Sequence, residues 1–289
     1  MQKIMPFLWF DTQAEEAINF YLPLFKDSSI QSISRYGDNM PLAKGTAMTV
    51  NFRLEGLDFI ALNGGPQFKF NPSISFFVTL ESETELDALW QGLSENATTL
   101  MPLQNYPWSA KYGWLNDKYG LSWQINLGKP KDSGGTIVPS LLFVGEQFGK
   151  AEEAMKLYMG LFGGSSLTHI MHNKNSVQHA QFKLAEQSFM AMDSNAQHNF
   201  AFNEAISFFV NCDDQAEVDH FWHALSAHPK AEQCGWLKDK YGISWQIIPK
   251  TLMELMGDPD RSKAARVTQA MLGMKKIDIA GLRQAYEQN

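Results

Sequence analysis

The apolar positions of this chain fall in short runs whose period alternates between that of a strand and that of a helix. Phe7 to Phe10 is a brief apolar run, the pattern of a buried strand. Asp11 or Thr12 then offers an N-cap, and Ala14, Ala17, Ile18 and Tyr21 recur at helical spacing, with Pro23 near the helix end. Runs at 30–36, 46–54 and 58–62 predict three strands, broken by Gly37-Asp38-Asn39 and Glu55-Gly56. Together these make one βαβββ unit. A second unit opens with a strand over 73–80 and a helix over 83–93 that puts Leu86, Leu89, Trp90 and Leu93 on one face. Strands follow around 100–104, 113–116 and 121–127. Asp117-Lys-Tyr-Gly120 makes a tight turn, with Gly120 suited to a left-handed backbone.

The same plan returns from Ile137 to Ile248. Gly113 to Ile125 reads GWLNDKYGLSWQI, and Gly235 to Ile247 reads GWLKDKYGISWQI; only two positions differ. Ile74-Ser-Phe-Phe-Val78 returns as Ile206-Ser-Phe-Phe-Val210, and Ala14-Glu-Glu-Ala17 as Ala151-Glu-Glu-Ala154. The chain is therefore a tandem duplication, the first thing to establish in any long sequence. The expected division is a first repeat domain at 1–128, a linker at 129–136, a second repeat domain at 137–249 and a helical tail at 250–289. The connecting GKPKDSGGT reads as flexible and exposed. In the tail, Asp258-Pro259 predicts a helix start with proline at its first position, and Asp278 a cap for a last short helix. The copies differ between helix and Gly-Trp motif, where the first carries ten more residues, among them Tyr106-Pro107-Trp108.

A net charge of −7 without a basic stretch argues against a nucleic-acid partner. No apolar run reaches the roughly 20 residues needed to span a bilayer, and residues 1–6 lack the apolar core of a signal peptide. Cys212 and Cys234 are the only cysteines, too few for a disulfide framework, and read as two reduced thiols of a cytoplasmic protein.

At this point the residues resemble a known family. Paired βαβββ units ending in DKYGxSWQI are similar to the vicinal oxygen chelate superfamily, which includes glyoxalase I, bleomycin-resistance proteins and extradiol dioxygenases. The nearer likeness is to its PhnB-like branch, whose members carry the description 3-demethylubiquinone-9 3-methyltransferase. The Ala-Glu-Glu-Ala helix, Gly235 to Gln246, Asp258-Pro-Asp260 and Met274 to Ile279 all match that branch. The resemblance implies an α+β fold: two glyoxalase-like domains, each of two βαβββ units forming a curved mixed sheet with helices on its outer face.

In metal-dependent relatives four strands each supply one ligand. Mapped by pattern, those positions are Met5, Ala61, Ser75 and Gln124 in the first copy and Val138, Ala191, Ser207 and Gln246 in the second. Exchanging strands between copies, as a fused pseudo-dimer would, gives Met5, Ala61, Ser207 and Gln246. None of these sets suits a divalent ion, which wants imidazole, thiolate or carboxylate donors. No metal and no cofactor are expected. All seven histidines lie after residue 168; His169, His172 and His179 fall on predicted strands and His220 and His223 on a helix, and they read as surface residues.

Alternation puts Ser122 and Gln124 on one strand face and Trp123 on the other. The glutamines and serines (Ser75, Ser122, Gln124, Ser207, Ser244, Gln246) either hydrogen-bond a ligand in a concave pocket or satisfy one another. Trp9, Trp114 and Trp236, with Ala61 and Ala191, are the remaining candidate pocket residues; Trp123 and Trp245 are expected in the core. Asp193, which replaces Asn63 of the first copy, is the single weak candidate for a general base. No G-x-G-x-x-G turn, P-loop, G-x-S-x-G elbow or C-x-x-C is present.

The expectation is a metal-independent protein that binds a small organic molecule, with no nucleic-acid or membrane partner. The alternative is an enzyme, either the methyltransferase of the family's description or a metal-free lyase or isomerase. A third reading is a partner-binding protein whose pockets are filled by Tyr106 and Trp108. A sheet edge and the methionine-rich tail are the surfaces on which a homodimer would form.

Overall fold

The computed structural model describes residues 2–38 and 42–288; Asn39 of the first predicted turn lies outside them. The first βαβββ segment holds β1 (Ile4–Phe10), α1 (Ala14–Tyr21), β2 (Ser28–Arg35), β3 (Ala47–Leu54) and β4 (Leu57–Asn63). The second holds β5 (Ile74–Leu80), α2 (Glu83–Leu93), β6 (Thr98–Tyr106), β7 (Ser109–Asn116) and β8 (Ser122–Leu127). After α3 (Pro130–Ser133) come β9 (Ile137–Phe143), α4 (Ala151–Leu161), β10 (Ser166–Asn173), β11 (Ser176–Leu184) and β12 (Gln187–Asp193). The last segment is shorter: β13 (Ile206–Cys212), α5 (Gln215–Leu225), β14 (Trp236–Lys238) and β15 (Ser244–Pro249). The ten residues missing there leave no counterpart of β6, and a 3-10 turn at Pro229–Ala231 takes its place. The tail is α6 (Lys250–Met256), α7 (Arg261–Leu272) and α8 (Ile279–Glu287).

Two compact units form, Pro6–Ile206 and residues 2–5 with 207–288. Within Pro6–Ile206 lies an eight-stranded sheet in the order β10-β11-β12-β9-β5-β8-β7-β6. Its centre is the antiparallel β5–β9 pair, with Ile74 opposite Leu141 and Val78 opposite Ile137. Half of this sheet thus comes from each repeat, so the sheet and the repeats do not share boundaries. The same unit also holds the run β1-β4-β3-β2, with β1 and β4 parallel.

Aromatic side chains form the core of this unit. Phe52 stacks on Phe59 at 5.1 Å, Phe59 meets Phe76 at 5.1 Å, and Phe76 meets Trp123 at 5.5 Å. Trp123 in turn contacts Tyr21 of α1, and both rings are fully buried. Such pairs add about 0.5–1.5 kcal/mol each beyond the area they bury. Asp117 ties the repeated motif to this core. Its Oδ1 accepts from the backbone N–H of Tyr119 and Leu121, and its Oδ2 from Tyr21 Oη and Trp123 Nε1, at 2.7–3.0 Å. Asp239 does the same for the N–H groups of Tyr241 and Ile243 and for Trp245 Nε1. The most repeated residues of the chain are therefore a structural clamp. Gly113 belongs to it for steric reasons: a Cβ there would lie 2.4 Å from the Trp90 ring.

In the second unit β14, β15 and β13 are neighbours in that order. Cys212 and Cys234 are free thiols, and burial pushes the Cys212 thiol up to about 12. The tail folds back on α5: Lys276 pairs with Asp219 at 2.5 Å, and Gln215 donates to Ile277 O at 3.1 Å. Asp278 caps α8 as expected. The start of α7 is two residues later than Pro259 predicts, because the Asp260 side chain accepts from Ser262 N and Lys263 N and is itself the cap.

Candidate functional site

The eight-stranded sheet has two faces, and register assigns each residue to one. Ser75 lies opposite Ser140, Phe77 beside Gln124, and Met190 beside Ser140. One face therefore carries Ser75, Phe77, Gln124, Trp114, Tyr112, Met190, Met192, His179 and Gln181; the other packs under the helices. Against the first face lies a cavity of about 520 Å³. Its wall is apolar and aromatic for the most part: Phe77, Trp108, Tyr112, Trp114 and the methionines Met101, Met171, Met190 and Met192. Polar groups are few, namely Gln124, Asn126, Thr79, His179, Gln178 and Gln181, with the turn Gly128, Lys129, Asp132 and Ser133 closing one side.

That turn corrects the reading of 129–136 as a flexible linker. Ser133 is buried and its Oγ donates to Thr79 Oγ1 at 2.8 Å. Gly134 sits at φ 86°, and Ser188 Oγ donates to its carbonyl at 2.9 Å. Hydrogen bonds to both repeats turn a glycine-rich connection into part of the cavity wall.

Gln124 reaches the cavity with its amide largely committed. Tyr112 Oη donates to its Oε1 at 2.7 Å, and its Nε2 donates to Ser75 Oγ at 2.8 Å. Burial pushes the Tyr112 hydroxyl well above the usual tyrosine range, so it remains a donor. Trp114 Nε1 donates to Ser122 Oγ at 2.8 Å while its ring walls the cavity. Ser75 and Ser122 are fully buried behind these groups. The expected glutamine–serine set does assemble, and its members satisfy one another. In the other unit Gln246 Nε2 likewise donates to Ser207 Oγ at 3.0 Å, with Ser244 buried and Trp236 beside Gln246 by register. The hydroxyl of Tyr112 has no equivalent there, because Cys234 precedes Gly235 as Tyr112 precedes Gly113.

Three candidates lie on the wrong face. Ala191 pairs with Ala180 and Leu141 on the helix side and is fully buried; its neighbours Met190 and Met192 take the cavity positions. Ala61 is likewise fully buried, on the face it shares with Asn63, whose Oδ1 accepts from Ala14 N at the start of α1. Asp193 occupies Asn63's place. Its Oδ1 accepts from Gly149 N and Ala151 N and its Oδ2 from Val177 N, at 2.8–3.2 Å, which caps α4 and leaves no free carboxylate oxygen for a base. Trp9 faces away from Ala61 and lines a smaller cavity of about 300 Å³, its indole donating to Gly65 O at 2.8 Å.

Sequence reasoning missed His179 and Gln181. His179 reads as a surface residue and Gln181 is not singled out by the sequence, yet alternation along β11 places them together on the cavity face. Burial, with His169 beside it, holds the His179 pKa below the ordinary histidine value, so the ring is neutral at neutral pH. Trp108, which the third reading placed inside a pocket, is 63% exposed and stacks on Tyr106 at the rim.

A metal does not fit this face. Its central strands present Val138 and Ser140, Met190 and Met192, Ser75 and Phe77, and Gln124, a set with no imidazole, thiolate or carboxylate among them. No group of three or more His, Cys, Asp or Glu among the described residues is arranged to hold an ion. Among the described residues no helix is long and apolar enough to cross a membrane.

The sequence matches the family described as 3-demethylubiquinone-9 3-methyltransferase over 2–126 and again over 135–248. A PhnB protein of Bacillus cereus is 47% identical over 44% of this chain and 100% of its own, with a TM-score of 0.43. A Staphylococcus aureus protein is 36% identical over 45% of this chain and 98% of its own, with a TM-score of 0.20. Glyoxalase I of Zea mays shares 9% identity over 83% of this chain and 89% of its own at a TM-score of 0.52, a likeness of fold alone. Comparison with curated proteins gives no match. Twice over, then, the chain belongs to the PhnB-like, 3-demethylubiquinone-9 3-methyltransferase family of the vicinal oxygen chelate fold.

Proposed function

We propose that the cavity of the Pro6–Ile206 unit holds a small organic molecule without the help of a metal ion. The observation that carries this reading is the composition of the wall. A concave space of about 520 Å³ lined by aromatic rings and thioethers, with a few placed polar groups, has the size and character of a small-molecule site. Methionine fills irregular gaps and adapts to different shapes, which suits a binding site more than a fixed catalytic array. The four strand positions that chelate in the superfamily's enzymes carry groups that bind divalent ions poorly. Asp193, the carboxylate a base would need, is spent on the N-terminus of α4. Sequestration in a cleft, as in bleomycin-resistance relatives, is the activity that this arrangement serves.

The test is thermal unfolding of protein dialysed against EDTA, with a panel of small uncharged organic compounds and, separately, with Ni, Zn, Mn and Fe. At least one organic compound is expected to raise Tm by several degrees, as preferential binding to the folded state requires. Trp108→Ala, a change at an exposed rim residue, should weaken that shift. Stoichiometric metal in the purified protein, or a shift of several degrees with one of the ions, would overturn the reading.

A further inference from the structure

Outside the glutamine–serine set the wall carries Asn126, Gln178 and one adjacent polar pair. His179 and Gln181 stand at alternate positions of β11, side by side on the cavity face, and line it together. Both are neutral: the imidazole has one donor and one acceptor nitrogen, and the amide one carbonyl acceptor and two N–H donors. They are joined only by a 3.4 Å contact between Gln181 Nε2 and His179 Nε2, at the long limit of a hydrogen bond. A ligand that gives each of them a closer partner replaces that contact at little cost. The charged residues of the wall, Lys129 and Asp132, are both exposed and of opposite sign, and no buried charge faces the space. An ionised ligand would lose its hydration there without gaining a counter-ion. The other repeat contributes the rings of Trp114, Tyr112 and Phe77 to the same wall.

Resting on the function proposed above, we infer that the cavity is selective for an uncharged, flat aromatic lactam or amide. Its ring lies on the aromatic and thioether wall, and its adjacent N–H and C=O are read by His179 and Gln181. A donor–acceptor edge matches this pair because two neighbouring neutral groups, each able to give and accept, complement a neighbouring N–H and C=O. Low local polarity strengthens both bonds and makes an unmatched edge costly.

The test is calorimetric titration of the full chain at neutral pH with three probes: 2-quinolinone, its N-methyl derivative and quinoline-2-carboxylate. 2-Quinolinone is expected to bind at least about tenfold more tightly than the N-methyl compound, the effect of one hydrogen bond of about 1.4 kcal/mol, and the carboxylate to bind most weakly. Gln181→Leu and His179→Phe should each collapse that preference while N-methyl-quinolinone binding is retained, which also shows that the variants are folded. His179→Gln should restore part of it. Equal binding of the two quinolinones would overturn the lactam edge and leave the cavity reading intact. Preference for the carboxylate would overturn the uncharged class. Failure of all three probes would overturn the aromatic class, whereas the metal-free cavity itself stands or falls on the organic panel and the metal titrations.

Discussion

Asp117 and Asp193 are both acidic residues in repeated motifs, and what each does depends on which hydrogen-bond donors surround it. Asp117 is buried among four donors and holds turn, helix and sheet together; burial nonetheless raises its pKa, against the pull of those bonds. Asp193 lies at the other end of a strand, where three backbone N–H groups claim both of its oxygens. Substituting Asp193 by alanine removes a cap, and caps are worth about 0.5–2 kcal/mol. The expected outcome of Asp193→Ala is an unfolding free energy lowered by that amount in urea denaturation, with ligand affinity unchanged. Loss of binding or turnover in a variant of unaltered stability would restore Asp193 to the site. His179 shows the converse. Its exposure on an isolated strand is what the sequence leads one to expect, and only the cavity opposite makes its neutral ring relevant.

At the scale of elements, the sequence makes the strands and helices legible because the apolar period is set locally. The helix over 83–93 is found where expected, with Ser82 as its cap. Discrepancies arise where a neighbour decides: Asp260 outcompetes Pro259 for the start of α7, and the 129–136 connection is ordered by Thr79 and Ser188. Gly134 is the pivot of that connection. It adopts φ 86°, and a Cβ would lie 2.3 Å from Ser188 Oγ. Gly134→Ala should therefore destabilise the protein by about 1–2 kcal/mol, combining left-handed strain with the clash. Because the turn forms one side of the cavity, the same variant should also weaken ligand binding, read by the same titrations as above. A variant with normal stability and affinity would show that the turn yields freely.

On the scale of the whole molecule, the duplication is a device for completing sheets. The β5 strand of the first repeat pairs with β9 of the second, and the cavity takes Phe77, Tyr112, Trp114 and Gln124 from one repeat and His179, Gln181, Met190 and Met192 from the other. Cutting this chain leaves β5 with an open, apolar edge, and open edges recruit other strands. A fragment of residues 1–128 is thus expected to elute as a dimer or larger species in size-exclusion chromatography with light scattering. A monomer that unfolds cooperatively would mean that β5 does not need its partner.

By itself the sequence determined the duplication, the order of strands and helices in the first three segments and the burial of Trp123 and Trp245, because periodicity and turn residues are properties of residues close together in the chain. Only the tertiary structure decided that Met190 and Met192 rather than Ala191 face the cavity, that Asp193 is a cap, and that one sheet is shared by two repeats. Those outcomes depend on strand register and on partners distant along the chain, and a one-residue shift in register moves every side chain to the opposite face.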